Sequence, residues 1–187
     1  MKKVLVVSKG VFHPTVLCRR QLRKTIKGFG NIKSEHINNT SSLDGITLAG
    51  FDAVVLYFHE KKISDSTVSK LREYVDGGGL LLCIHGALAS FKECPEYGKL
   101  TGSRFTGHGK ILKMEITGVL NFSVTDEPYE FELSGDCIIL LESNGLPVCW
   151  VRKSGKGNVA GLAPGHRLET MKNQSFKNMI EYILNKY

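Results

Sequence analysis

The chain has 187 residues, 42% of them hydrophobic and 23% charged, which is enough apolar material for a sizeable core and excludes global disorder. The length suits one domain over residues 1–187 and is too short for two comfortable ones. Lys and Arg exceed Asp and Glu by 25 to 18, a net charge of +7 that favours anionic partners without naming one.

The first apolar run, Val4–Val7, follows Lys2-Lys3 and stops at Ser8-Lys9-Gly10, too short for a signal-peptide core. No run approaches the roughly 20 residues of a membrane span. Val4–Val7, Ala53–Leu56 and Leu80–Ile84 are continuous rather than alternating, the pattern of strands covered on both faces by helices. Lys33–Ile37 reads as a weaker strand. Thr15–Phe29 is predicted as a helix with Cys18, Leu22, Ile26 and Phe29 on one face and Arg19, Arg20, Arg23, Lys24 and Lys27 on the other. Ser64–Asp76 is a second helix, N-capped by Ser64 and ended by Gly77-Gly78-Gly79. A short helix is expected over Ala87–Phe91. Beyond it Lys110–Ile116, Tyr129–Leu133, Cys137–Leu141, Val148–Val151 and Asn158–Leu162 read as strands, and Ser175 to about Lys186 as a closing helix. This order predicts an α/β fold with a mostly parallel central sheet and some antiparallel edge strands.

In open α/β sheets ligands bind beyond the carboxyl ends of the strands. His13, His59, His85 and His166 each follow a predicted strand end, and His108 lies in the expected loop Gly107-His108-Gly109. His59, followed by Glu60-Lys61-Lys62, fits a solvated turn, and His36 within a strand has no assigned role. The segment Leu80–Ala87 has the shape of a nucleophile elbow, a tight strand-to-helix turn, with His85 at the tip where Ser or Cys normally stands. Cys83, inside the strand, reads as a buried inert thiol. Asp126-Glu127-Pro128-Tyr129-Glu130 offers a carboxylate beside a phenol, although an acidic turn closed by Pro128 accounts for it too. Trp150-Val151-Arg152 and Gly155-Lys156-Gly157 read as a strand entering a hairpin, with Arg152 and Lys156 able to hold an anion. Five cysteines without C-x-x-C spacing fit reduced thiols in the cytoplasm.

The ordered set of these segments resembles the ThuA-like, trehalose-utilisation family. It runs from His13 through Leu71-x-x-Tyr74-Val75-x-Gly77-Gly78-Gly79-Leu80, Ile84-His85-Gly86-Ala87 and Tyr97-x-x-Leu100-x-Gly102-x-x-Phe105-x-x-His108. It continues through Asp126-Glu127-x-Tyr129, Pro147-x-x-Trp150-x-Arg152 and Gly155-Lys156-Gly157 to Gly165-His166. The resemblance implies a three-layer, flavodoxin-like fold of the class I glutamine-amidotransferase type. It also implies a rim pocket of His13, His85, His108, Glu127, Tyr129 and His166. Pro128 stands where the family usually has Leu, which could shift Tyr129. Glutaminase chemistry needs an activated thiolate, and His85 occupies the elbow, so that activity is rejected. The resulting expectation is a cytoplasmic enzyme of isomerase or hydrolase type acting on a sugar or keto-sugar. His85, Glu127 and His108 are assigned to catalysis, and His13, Tyr129, Trp150, Arg152 and His166 to substrate binding. No cofactor is expected. Three histidines and a carboxylate could bind zinc, but no H-x-x-H or H-E-x-x-H spacing supports it. Expected partners are a carbohydrate and further copies of the chain in a homo-oligomer, with no membrane. Nucleic-acid binding through the basic helix face has no aromatic platform behind it. The alternative is a non-catalytic domain that binds a small molecule or a partner protein.

Overall fold

In the computed structural model, which describes residues 1–187, the continuous apolar runs lie side by side. Strands β1 (Lys2–Ser8), β2 (Ile32–Ile37), β3 (Ala53–Tyr57), β4 (Leu80–Ile84) and β11 (Gly157–Leu162) pair in the order β2-β1-β3-β4-β11, all parallel. Alternation along each strand splits the core in two. Val4, Val6, Val55, Leu82, Ile84 and Leu162 pack against helices α1 (Val16–Lys27) and α5 (Gln174–Lys186) through Leu22, Ile26, Phe176 and Ile180. Leu5, Val7, Val54, Leu56, Leu81 and Cys83 face the opposite way, onto α2 (Asp65–Asp76) and α3 (Pro95–Thr101). Ser64 caps its helix as the sequence predicts, its hydroxyl accepting from the Thr67 N–H, and the structure shows Thr15 doing the same for the Cys18 N–H.

The second half departs from expectation. The nine-stranded sheet continues from β11 through β10 (Leu146–Ser154), β9 (Ile138–Ser143), β6 (Leu112–Gly118) and β7 (Phe122–Asp126), every one of these pairings antiparallel. Antiparallel strands therefore form one wing of a mixed sheet rather than its fringe. A separate two-stranded sheet joins β5 (Ser103–His108) to β8 (Tyr129–Leu133). The sequence reading missed β5, β7, α3 and the short helix α4 (Leu168–Lys172), because short, half-exposed elements carry little periodicity. The helix predicted over Ala87–Phe91 is only a 3-10 turn at His85–Ala87. No helix is long and apolar enough to cross a membrane.

Two of the basic residues on α1 do not face solvent. Arg23 donates from Nε and Nη2 to the buried Ser8 hydroxyl at 3.2 and 3.0 Å, and Arg19 donates to the Gly10 carbonyl at 2.5 Å. They tie the helix to the loop after β1, which carries His13.

Trp150, on β10, is fully buried. Its indole lies edge-on to Phe131, with centroids 4.9 Å apart, and its Nε1 donates to the Thr101 carbonyl. It lies flat over the backbone of Gly161, where an added Cβ would come within 2.4 Å of the ring. Replacing Trp150 by Ala should lower the unfolding free energy by about 3–5 kcal/mol. Urea denaturation followed by circular dichroism measures this; an unchanged midpoint would show that the ring carries no core load.

Candidate functional site

The carboxyl ends of β1, β3, β4 and β11 meet at one rim. The strand order reverses there, because the chain steps from β1 outward to β2 and then to β3 on the other side. His85 stands at its centre. The backbone leaves β4 at Ile84 in extended geometry and turns at His85 to φ 48°, a left-handed conformation that a non-glycine residue adopts at a cost of about 1–3 kcal/mol. Gly86 permits the turn, since a Cβ there would lie 2.6 Å from the Phe58 carbonyl oxygen. The turn drives the His85 ring into full burial. Its Nδ1 lies 2.9 Å from the Ala163 carbonyl. A carbonyl only accepts, so Nδ1 carries the proton and Nε2 keeps a lone pair. That Nε2 is buried and has no partner.

The lone pair faces Glu127, in the link between β7 and β8. Glu127 Oε2 lies 3.9 Å from His85 Nε2 and 3.6 Å from His166 Nδ1, and Oε1 lies 3.1 Å from His108 Nδ1. His108 Nδ1 also lies 3.2 Å from the Gly109 carbonyl, so that nitrogen is a donor. The Tyr129 ring stacks on His85 with centroids 4.3 Å apart, and its hydroxyl lies 3.3 Å from His13 Nε2. Pro128 thus leaves Tyr129 in place. The His13 ring lies 5.0 Å from that of His166, 5.1 Å from His85 and 5.2 Å from His59.

Asp126, which the sequence reading did not single out from its acidic segment, sets this arrangement. It is fully buried, and its carboxyl accepts from the backbone N–H groups of Glu127 at 2.7 Å, Gly165 at 3.0 Å and His166 at 3.1 Å. The Tyr57 hydroxyl donates to the Gly165 carbonyl at 2.6 Å and steadies the same loop. Nothing in a one-dimensional reading distinguishes Asp126 from Glu127; the difference is that β7 turns Asp126 inward.

The structure brings together His13, His85, His108, Glu127, Tyr129 and His166, with His59 at the exposed edge. His108 arrives as the last residue of β5, opposite Tyr129 on β8, and not in a loop. Trp150 and Arg152 do not join them. Trp150 is spent on the core. Arg152 pairs with Asp136 at 2.7 Å and donates to the Leu100 carbonyl at 3.3 Å, pinning the end of α3. Lys156 sits in the hairpin before β11, at the opposite end of the strands, where its N–H bonds the Asp76 carbonyl. Cys83 is an inert core thiol as read, its pKa pushed up to about 12 by burial. A cavity of about 460 Å³ is lined by residues of α3 and β5 such as Tyr97, Arg104 and Phe105 and by none of the histidines. One nitrogen each of His13, His85 and His166 lie within 4.8 Å of one another, a spacing able to hold a metal ion.

A family model described as ThuA, trehalose utilisation, matches residues 3–182. No curated protein matches the chain. Among solved structures, a ThuA-like protein from Parabacteroides merdae superposes with a TM-score of 0.84 at 15% identity, over 99% of this chain and 90% of that one. A cytoplasmic protein from Salmonella typhimurium gives 0.71 at 13% identity, over 100% and 98%. A β-galactosidase from Bacillus circulans gives 0.73 at 14% identity, with 99% of this chain covering 31% of the enzyme. At such identities the likeness speaks for the fold alone.

Burial, then the neighbouring His166, His59 and His108, lower the pKa of His13 from 6.5 to about 4. Burial pushes His85 well below 6.5. Between pH 6.5 and about 4 the unfolded chain therefore binds more protons than the folded one. Stability should fall as pH drops through that window, with no contribution from these two groups above it. Denaturation midpoints measured across the window should decline less steeply in His13→Asn than in the unaltered chain. Superimposable profiles would refute the coupling.

Proposed function

The chain belongs to the ThuA family of trehalose utilisation, and from that premise we propose that it is an enzyme acting on a sugar or keto-sugar by acid–base chemistry at Glu127. The observation that carries the reading is one carboxylate within 4 Å of three imidazoles, those of His108, His166 and His85. Exposure is graded across the set: the side chain of His108 is 55% exposed, that of Glu127 16% and that of His85 0%. Glu127 removes a proton from carbon next to a ketone, or from a sugar hydroxyl, and the exposed His108, donating from Nδ1, orients that carboxylate. His85 offers its Nε2 lone pair from the floor. Tyr129 and His13 hold the substrate above it, and His166 holds its flank.

The five parallel strands, in the order β2-β1-β3-β4-β11, support a flavodoxin-like classification, with the chain as one ThuA-like unit. A glutaminase is disfavoured, since the elbow residue is an imidazole and Cys83 lies buried within β4. The cytoplasm and a homo-oligomeric state remain part of the proposal.

Proton exchange tests it. Keto derivatives of trehalose incubated with the protein in D2O, followed by NMR, should gain deuterium beside the carbonyl. Glu127→Gln should slow the exchange about 100-fold or more, and His108→Gln by less, since water can replace an exposed donor. Saturable binding of these sugars without exchange or turnover would instead establish a binding domain.

A further inference from the structure

We propose that His13, His85 and His166 together bind one divalent transition-metal ion of the zinc class, with Glu127 beside its open position. Three independent features converge on this. First, the donor nitrogens of the three residues lie within 4.8 Å of one another although they come from the loops after β1, β4 and β11. Second, two of those rings present buried nitrogens with no hydrogen-bond partner, His85 Nε2 and His166 Nδ1. A buried polar atom left unpaired costs about 1–3 kcal/mol, and both orphans here border the same point. Third, the other nitrogen of His85 is fixed by the Ala163 carbonyl. That backbone bond selects the tautomer whose lone pair points into the cluster, as the outer partner of a metal-bound histidine does.

The spacing fits a small ion. With zinc–nitrogen bonds of about 2.0–2.1 Å, tetrahedral ligand atoms stand roughly 3.3–3.5 Å apart. Glu127 Oε2 is 3.6 Å from His166 Nδ1 and 3.9 Å from His85 Nε2, gaps too long for hydrogen bonds and near that ligand spacing. The three nitrogens, within 4.8 Å of one another, would draw closer on binding by movement of the partly exposed His13 and His166 toward the fixed His85. An all-imidazole set favours zinc, cobalt, nickel or copper over magnesium and calcium, which take oxygen ligands. Three protein ligands leave one position open, and Glu127 borders it. The ion would polarise an oxygen placed there, next to the base. Local sequence spacing carries no trace of the site because each ligand comes from a different strand end. The inference stands on donor geometry and does not depend on the sugar reading.

The test reads metal binding with no sugar present. Protein stripped with a chelator and dialysed is titrated with Zn²⁺ in competition with a chromophoric chelator, and separately with Co²⁺ to record its visible spectrum. One equivalent should bind saturably, and Co²⁺ should give the strong absorption of a four-coordinate site. His13→Gln and His166→Gln should each weaken Zn²⁺ binding at least tenfold, while His36→Gln, remote from the cluster, should leave it unchanged. Both ligand variants alter partly exposed side chains, so they test the site even if His85→Ala fails to fold. Absence of a saturable equivalent would overturn the proposal, as would equal binding by a His13→Gln/His166→Gln double variant. Zinc binding without sugar exchange would sustain it while removing the sugar reading.

Discussion

The Asp126 carboxyl joins the two halves of the molecule. Asp126 ends an antiparallel strand of the outer wing, yet two of the three backbone N–H groups it receives belong to Gly165 and His166, in the loop after the central strand β11. A buried carboxyl is tolerable only where several donors replace water, and here the replacement is a geometric clamp. The third donor, the N–H of Glu127, sets where the next carboxylate goes. That clamp, beside the weaker bonds from Thr170 and Asn173 to the β7 backbone, helps hold Glu127 and His166 3.6 Å apart.

A second constraint acts from below. The β4 backbone is buried on both faces until Ile84 and then enters a left-handed turn at His85. The Phe58 carbonyl lies so close to Gly86 that a side chain there would clash, so the turn needs glycine after His85. Held between Tyr129 and the Ala163 carbonyl, the His85 ring has a single orientation. Strain at one residue thus converts the end of an ordinary parallel strand into a directed lone pair, with the surrounding packing offsetting the cost.

The electrostatics follow from the crowding. His13 and His85 are driven toward their neutral forms by burial, and the neighbouring imidazoles push the same way. Neutral imidazoles beside a carboxylate form a set of lone pairs, suited to taking up a proton or a cation rather than an anion. The chain's excess of basic residues does not bear on this. Arg19 and Arg23 brace the loop of His13 from the helix side, and Arg152 braces α3 on the far side of the sheet. Of the side chains that looked available for an anionic ligand, Arg152 is occupied in holding the scaffold.

The sequence alone determined the parallel core. Continuous runs such as Val4–Val7 and Leu80–Ile84 can only be strands covered on both faces, and the intervening helical periodicities dictate crossovers that bring their carboxyl ends to one rim. Four histidines after strand ends were therefore legible as neighbours, and so was the elbow at His85. Only the tertiary structure decided the rest. The antiparallel wing alternates weakly, and β5 and β7 are too short and half-exposed to show a period, so His108 read as a loop residue and Asp126 was not told apart from the rest of its acidic segment. Trp150 and Arg152 share a segment with plausible binding residues, but their strand runs antiparallel to β11, away from the rim, and turns them toward α3. Periodicity records which face of a strand is buried; it does not record which end of the sheet a hairpin reaches, and that end is where the carboxylate and the imidazoles meet.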